Sequence, residues 1–377
     1  LQDYEKLIIS KLTDFNPREL ANTLWAFATL NHTPDDGMLQ KMEGEVVAKL
    51  TDFNSQELAN TLWAFAKLNH TPDDGMLQKM EGEVVAKLTD FQPHGSSPMR
   101  LWAFATLNHT PGRAGCCKDG GELNHTPDDG MPEKMEGEVV AKLTDFNPQN
   151  LANTLWAFAT LNHTPDDGML QKMEGEVVAK LTDFNSQDLA NTLWSVSIFC
   201  YELSFFDDFH SRLAEFHCYD FSPAGLSQLY QAHMVAETFQ WPFVLPTGLL
   251  EAAKQHQMRA SEIVRTSHFQ RQVHTELVKM DYSAELEYRT PDGMFSLDIR
   301  VVHGEDDLAV EADGPSHFAI NKQVQLGHTK LRNVMLEARG YTVVSIPYYE
   351  WDSLASTIER QSYLCAKLTG AQGKATR

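Results

Sequence analysis

Hydrophobic residues recur along the first half of the chain at the spacing of α-helices. In the first clear segment, Leu20, Leu24 and Phe27 form one row at helical spacing, and Ala21 and Trp25 begin a second row beside it. Asn and Pro precede the rows, where they favour a helix start as N-cap and first helical residue. The pattern predicts an amphipathic helix that buries its apolar side.

A second helix is predicted directly after this one. Its apolar positions follow the segment TPDD at residues 33–36, a capping-box pattern that also places acids at the positive end of a helix. Each segment of the first half therefore predicts a pair of helices joined by a short turn.

The two-helix unit recurs every 38 residues. A phenylalanine before each first helix marks the copies: Phe15, Phe53, Phe91, Phe146 and Phe184. The third interval is 55 residues long and contains the glycine-rich stretch GRAGCCKDGGE, so the third copy is irregular with a 17-residue insertion. An eroded sixth copy reads YDFSPAGLSQLYQAHM. Since one hairpin cannot bury both of its faces, the copies are predicted to stack as an α-solenoid.

The periodicity changes near residue 281 from helical to strand-like alternation. SAELEYR, FSLDIRVV, LAVEAD and YTVVSIP are predicted strands, with a hairpin turn at TPDG. HTKLRNVMLEARG predicts an amphipathic helix that Gly340 stops, and a final helix is predicted with Asp352 as its cap. With the helix before residue 281, the order is αβββαβα, a small α/β domain.

These changes predict four parts. They are a helical repeat array at 1–195, a degenerate helical repeat and linker at 196–261, an α/β domain at 262–369 and a flexible tail at 370–377.

Charge and composition narrow the classes of function. The net charge of −21 disfavours phosphate binding by the chain as a whole, but residues 322–377 carry eight basic and four acidic side chains. The five cysteines show no paired spacing, which argues against a disulfide framework or a zinc site and fits a reducing compartment. No apolar run is long enough to span a membrane, and no transit peptide is visible.

The ordered motifs LDIRVV, VEADGPSHF, LGHTKLRNVMLEARGYTVVSIPYYEW and a closing helix resemble the RAP domain over residues 295–368. The repeats with LANTLWAFA resemble the octatricopeptide and heptatricopeptide arrays that precede RAP domains. The resemblance implies an organellar RNA-binding protein that acts in RNA processing, stability or translation in a chloroplast or mitochondrial matrix. It also implies that the C-terminal domain is similar to the PD-(D/E)XK nuclease fold.

A nuclease of that fold holds Mg²⁺ with one carboxylate on a strand and two more ligands on the next. Asp298 and the pair Glu311 and Asp313 lie where this motif would fall, and His317 follows as a candidate acid, base or ligand. Asp313 takes the place of the motif's lysine, so no cation remains there to stabilise the leaving phosphate. The alternative is a turn whose acid caps the backbone. Loss of catalysis with retention of RNA binding is the favoured interpretation, with no cofactor required.

Candidate RNA contacts in the α/β domain combine basic and aromatic side chains, which hold phosphate and stack on unpaired bases. They are Lys330, Arg332, Arg339, Tyr348, Tyr349 and Trp351. For Trp351, a place in the core is an equally good explanation. In the repeats, one asparagine recurs on the polar face of each first helix and could read a base: Asn22, Asn60, Asn153 and Asn191.

The sequence thus favours a modular binder of single-stranded organellar mRNA or rRNA, with ribonucleoprotein partners and no membrane contact. One alternative is a metal-dependent endoribonuclease that uses Asp298, Glu311 and Asp313 with Mg²⁺. A second alternative is a protein-interaction scaffold, suggested by the acidic charge of residues 1–200.

Overall fold

The chain divides into two compact units in a computed structural model. The N-terminal unit comprises Leu1–Phe199 and Phe318–Gly327, and the C-terminal unit comprises Cys200–His317 and His328–Arg377. The described residues are 2–30, 32–34, 36–54, 57–58, 60–61, 64–65, 68, 76, 79–80, 83, 136–137, 139–141, 143–262, 266–304, 306–318 and 323–375.

The described part of the N-terminal unit is helical. Its α-helices are α1 (Gln2–Lys11), α2 (Pro17–Thr29), α3 (Asp36–Ala48), α4 (Pro148–Thr160), α5 (Asp167–Lys180) and α6 (Ser186–Phe199). The predicted helix pairs are confirmed where they are described. The irregular third copy lies outside the described residues, and stacking of the copies as a solenoid stays a prediction.

The first helix of each pair begins as the sequence predicts. The side chain of Asn16 accepts a hydrogen bond from the backbone N–H of Glu19 at 2.9 Å, and Glu19 returns one to the backbone N–H of Asn16. Asn147 caps α4 in the same position. The second helix begins later than predicted, because Asp166 rather than the preceding threonine accepts from Met169 and caps α5.

Two polar contacts fix the repeated units, and the sequence pattern did not predict either of them. Lys49 donates to the backbone carbonyls of Thr13 and Phe15, which lie just before the first helix of its own copy. Helix α1 corresponds to the second helix of a copy that precedes Phe15. Its Glu5 bonds at 2.7 Å to His32, which lies in the turn between α2 and α3 of the next copy.

The same contacts recur in a later copy. Lys180 donates to the carbonyls of Thr144 and Phe146, and His163 bonds to Glu136. The turn histidines, which could suggest a metal site, thus hold one copy to the next through a carboxylate.

The C-terminal unit starts with helices and continues as an α/β domain. Its first helices are α7 (Phe206–Leu213), α8 (Pro223–Phe239) and α9 (Thr247–Ala260). Ser222 caps α8, as the match to the repeat predicts. Trp241-Pro242 and Pro246 lie between α8 and α9, where proline interrupts the helical path.

A four-stranded mixed sheet forms the centre of this unit. In chain order the elements are α10 (His268–Lys279), β1 (Ser283–Arg289), β2 (Ser296–His303), β3 (Asp306–Asp313), α11 (Gly327–Glu337), β4 (Thr342–Pro347), α12 (Tyr348–Asp352) and α13 (Thr357–Ala375). The strands lie in the order β1-β2-β3-β4, antiparallel except for the parallel pair β3 and β4. The predicted order is confirmed, with α12 as an addition. A nuclease-like fold stays a prediction.

The core of the domain lies between one sheet face and the helices α10 and α13. Alternate residues of β2 and β3, such as Ile299 and Val310, face Leu277 of α10 and Leu364 of α13. The residues between them in sequence belong to the opposite, more polar face of the sheet. Because of this alternation, the polar side chains of β2 and β3 lie on the face away from this core.

The start of the last helix differs from the prediction. α13 begins at Thr357, and Ser356 forms a capping box with Glu359. Asp352, the predicted cap, instead ends the short helix α12, which brings Trp351 into the core. Burial of Trp351 therefore explains why α12 forms and why α13 starts only at Thr357.

No helix among the described residues combines the length and apolar character that a bilayer crossing requires.

Candidate functional site

The three predicted carboxylates lie on the more polar face of the sheet. Asp298 is on β2, and Glu311 and Asp313 are two residues apart on β3. Glu311 and Asp313 are only 3% and 2% exposed. Since buried carboxylates need partners, the contacts of each one define what this site can do.

Glu311 is paired with Arg332 of α11. The Arg332 guanidinium donates to both carboxylate oxygens of Glu311 at 3.0–3.2 Å and to the backbone carbonyl of Ser296. Burial opposes the charge of Arg332, but the nearby carboxylates of Glu311 and Asp298 outweigh it and raise the pKa of the guanidinium. Arg332 is therefore a fixed positive charge beside the carboxylates.

Asp298 closes a gap in the hydrogen bonding of the sheet. One of its oxygens accepts the backbone N–H of Ala312 at 2.8 Å, and the other accepts the side-chain amide of Gln270 at the start of α10. Burial, with the charge of Glu311 added, raises the pKa of Asp298 to about 8. Asp298 is thus a structural group, held by Ala312 and Gln270, that keeps its proton near neutral pH.

Asp313 is held by groups from two other elements. Ser345 of β4 donates to one of its oxygens, and Nδ1 of His317 lies 3.2 Å from the other. The hydroxyl of Thr329 also lies 3.2 Å from Nδ1 of His317. Burial lowers the pKa of His317, so this imidazole is neutral at pH 7.

These contacts do not fit the Mg²⁺ site that a nuclease of the implied fold would need. Within the described part of the chain, no three Asp, Glu, His or Cys side chains converge as metal ligands. Each carboxylate is already bound to protein donors, and Arg332 supplies the positive charge that a divalent ion would bring. Asp298, Glu311 and Asp313 are brought to one face, but as a hydrogen-bonded network around an arginine.

The raised pKa of Asp298 predicts a pH-dependent stability. Between pH 7 and 8 the folded state keeps a proton that the unfolded chain has released, so the free energy of unfolding should fall by up to about 1.4 kcal/mol per pH unit. His317 adds little in this window, because its folded pKa lies below its ordinary value of 6.5. Hydrogen exchange of β2–β3 peptides, corrected for intrinsic rates, measures the slope.

Asp298→Asn should flatten this profile, because an amide does not titrate. Asp352→Asn, at an exposed position, serves as the control and should keep the slope. A flat profile in the unmodified protein would contradict the assignment.

A cavity of about 480 Å³ opens on the polar face of the sheet inside the C-terminal unit. We call it the central cavity. Its walls come from α8, α9, the strands β1 to β3 and α11. Asp298, Glu311, His317 and Arg332 line it, together with Glu287. The volume falls within the range of roughly 300–1,000 Å³ that small-ligand sites occupy.

The three predicted basic contacts have different surroundings. Arg332 is committed to Glu311. Arg339 donates to Asp292 in the β1–β2 turn at 2.6 Å and lies over the ring of Phe295. Lys330 is partly exposed, and among the described residues no ion pair holds its ammonium group. Of the three, Lys330 is the cation that remains available to a phosphate.

The predicted aromatic contacts differ in exposure. Trp351 is fully buried, and its indole N–H donates to Gln272 of α10. Its ring has no exposed face for a base, so the core explanation holds for this residue. Tyr348 and Tyr349 are partly exposed, with their rings 5.4 Å apart edge to face. The two tyrosines keep surface on which a base can stack.

The repeat asparagines do not share one environment. Asn22 is exposed, Asn60 and Asn153 are partly exposed, and Asn191 is buried and accepts a hydrogen bond from Gln187. A readout by one asparagine in each copy stays a prediction for the first three positions, whereas the buried Asn191 contributes to the interior of its helix pair.

The sequence did not predict that Arg332 pairs with Glu311 or that Gln270 bonds to Asp298. It also did not predict that Glu287 lines the central cavity. Arg332 follows Leu331 on a helix face that also carries Met335, and all three line the central cavity. A cation among the apolar positions of α11 was the signal for a buried ion pair. Gln270 and Glu287 carried no comparable signal, because their partners lie on distant segments.

Different protein families match different parts of the chain. The RAP domain family matches residues 310–367, which include the second half of β3 and all of α11 and β4. The N-terminal half matches two other families, FAST kinase-like protein, subdomain 1, over residues 20–89 and the N-terminal domain of the Tbc2 translation factor over residues 102–203. The chain therefore carries a RAP domain behind a region similar to the FAST kinase-like and Tbc2 families.

Two curated relatives are similar to part of the chain. A chloroplastic RAP domain-containing protein of rice (Oryza sativa subsp. japonica) is 37% identical over 99 residues, 26% of this chain and 15% of the rice protein. The mitochondrial FAST kinase domain-containing protein 3 of cattle (Bos taurus) is 34% identical over 90 residues, 23% of this chain and 13% of the bovine protein. The alignments thus span about a seventh of each relative's length.

Proposed function

We propose that this RAP domain-containing chain is an organellar RNA-binding protein that acts in processing, stability or translation of a chloroplast or mitochondrial transcript. The match of residues 310–367 to the RAP domain carries the proposal. The chloroplastic and mitochondrial names of the two relatives support the compartment. The ligand is single-stranded mRNA or rRNA, which the helical repeats track and the RAP domain holds.

The electrostatics of the C-terminal unit support RNA contact at a restricted surface. The chain as a whole is acidic, so phosphate contact depends on local cations. Lys330 offers an ammonium group that no described residue holds in an ion pair, and Tyr348 and Tyr349 offer rings for stacking. The network around Arg332 gives no support to the metal-dependent nuclease, and no comparison favours the protein scaffold.

Salt-dependent binding of the full chain to single-stranded RNA tests this proposal. Fluorescence anisotropy should show affinity that falls as salt rises, and Lys330→Ala should weaken binding and reduce the slope of log K against log salt by about one. Lys279→Ala, at a lysine that Glu276 already pairs, is the matched control and should change neither. Absence of RNA binding even at low salt would overturn the proposal.

A further inference from the structure

The central cavity has several carboxyl groups in its walls. Glu287, Asp298 and Glu311 bring three carboxyl groups to its walls, and Arg332 is the guanidinium among them. Gln257, also in the wall, spends its amide N–H on the backbone carbonyl of Met294 and keeps its side-chain oxygen as an acceptor. A ligand that engages these carboxyl groups must supply hydrogen-bond donors.

Glu287 is the acceptor with the clearest deficit. Its Oε1 is buried, and among the described residues no donor reaches it; Oε2 has only a long 3.5 Å contact from the hydroxyl of Ser296. An unsatisfied buried acceptor destabilises the folded state, and more so when it is charged. The folded protein therefore maintains a carboxylate that protein groups leave incompletely bound.

The backbone at Glu287 is also strained. Its φ is 53°, the left-handed region, in the middle of β1. In the register of β1 and β2, Leu286 pairs with Ile299 and Tyr288 with Leu297, so Glu287 lies at the level of Asp298 on the neighbouring strand. The strained backbone opposes folding, and it is located at the wall of the central cavity.

We propose that the central cavity binds one unpaired guanine base of the RNA, with its Watson–Crick edge toward Glu287. The inference rests on the proposed function and specifies what part of the RNA this unit recognises. Guanine carries adjacent donors, an N1–H and an N2 amine, which match the two oxygens of a carboxylate. Adenine and cytosine offer one amine, and uracil offers a single N–H between two acceptors.

The size and charge of the cavity favour a base over other parts of the RNA. About 480 Å³ is enough for a base and its ribose but too little for a duplex. The carboxylate of Glu287 repels phosphate and Arg332 is already paired with Glu311, so the backbone remains outside while the base enters. Phe295 and Met335 supply apolar wall against which the ring packs.

Competition among short RNAs tests the inference on the full chain. Anisotropy is measured with labelled uridine hexanucleotides that carry a single G, A, C or inosine at an internal position. The G-containing RNA is expected to bind at least about tenfold more tightly than all-uridine RNA. Inosine, which lacks the N2 amine, should lie between them.

Two variants locate the preference in the cavity. Glu287→Gln removes the charge at nearly constant shape and should abolish the preference for G while affinity for all-uridine RNA persists. Ala260→Phe narrows the cavity without changing charge and should have the same effect. Glu285→Gln, exposed on the same strand, is the matched control and should keep the preference. Circular dichroism verifies that each variant folds.

The possible failures are distinguishable. Equal binding of all the hexanucleotides, or a preference for G that survives both variants, would overturn the guanine site and leave RNA binding intact. No binding of any of them at low salt would overturn the proposed function, and the guanine site with it.

Discussion

Arg332→Met is expected to destabilise the C-terminal unit by about 3–5 kcal/mol, because it leaves the buried Glu311 without its cationic partner. The methionine keeps most of the volume, so the loss reports the charge and its hydrogen bonds rather than a cavity. Hydrogen exchange of β2–β3 peptides and thermal unfolding measure it. Lys330→Met, two residues away on α11, is the control and should change stability by less than about 0.5 kcal/mol.

A second substitution tests whether loss of the Arg332–Glu311 ion pair causes the destabilisation. Glu311→Leu in the Arg332→Met background removes the stranded carboxylate and should restore much of the lost stability, since an apolar pair often replaces a buried ion pair at little cost. If Arg332→Met alone were as stable as the unmodified protein, the arginine would not be the balancing charge of this site.

Trp351→Ala is expected to cost about 3–5 kcal/mol, because it empties a fully buried position in the core of the α/β domain. The indole lies among Phe269, Tyr363 and the guanidinium of Arg360, at ring distances of 5.1–6.4 Å. Trp351→Phe should keep most of the stability and leave RNA affinity unchanged. Thermal unfolding and RNA anisotropy measure the two effects separately.

Tyr349→Ala provides the contrast. Its ring is partly exposed, so stability should change little, whereas RNA affinity should fall by about 1–3 kcal/mol if one base stacks there. A loss of affinity in Trp351→Phe at unchanged stability would restore the tryptophan as an RNA contact and contradict its assignment to the core.

Local patterns predicted the elements well because those elements depend on neighbours in sequence. The cap at Asn16 and the alternation of β2 and β3 involve residues within a few positions of one another. The start of α13 was misplaced because Asp352 and Ser356 are both good caps, and only the burial of Trp351 decides between them.

The site was predicted in position but not in chemistry. Alternation placed Asp298 and Glu311 on the more polar face, where the structure has them. The partner of Glu311 is Arg332, 21 residues later on a helix, and that of Asp298 is Gln270, 28 residues earlier. Such pairings arise from tertiary packing, and no spacing rule encodes them. A set of carboxylates therefore suggested a metal where the folded chain supplies an arginine.

The histidine–glutamate contacts between copies have a consequence for how this chain can change length. Glu5 with His32, and Glu136 with His163, join the second helix of one copy to the turn of the next. Every intact 38-residue copy contains both the turn histidine and the second-helix glutamate of this contact. Recombination between near-identical copies can therefore add or delete whole units, because each new junction already contains a matching histidine and glutamate.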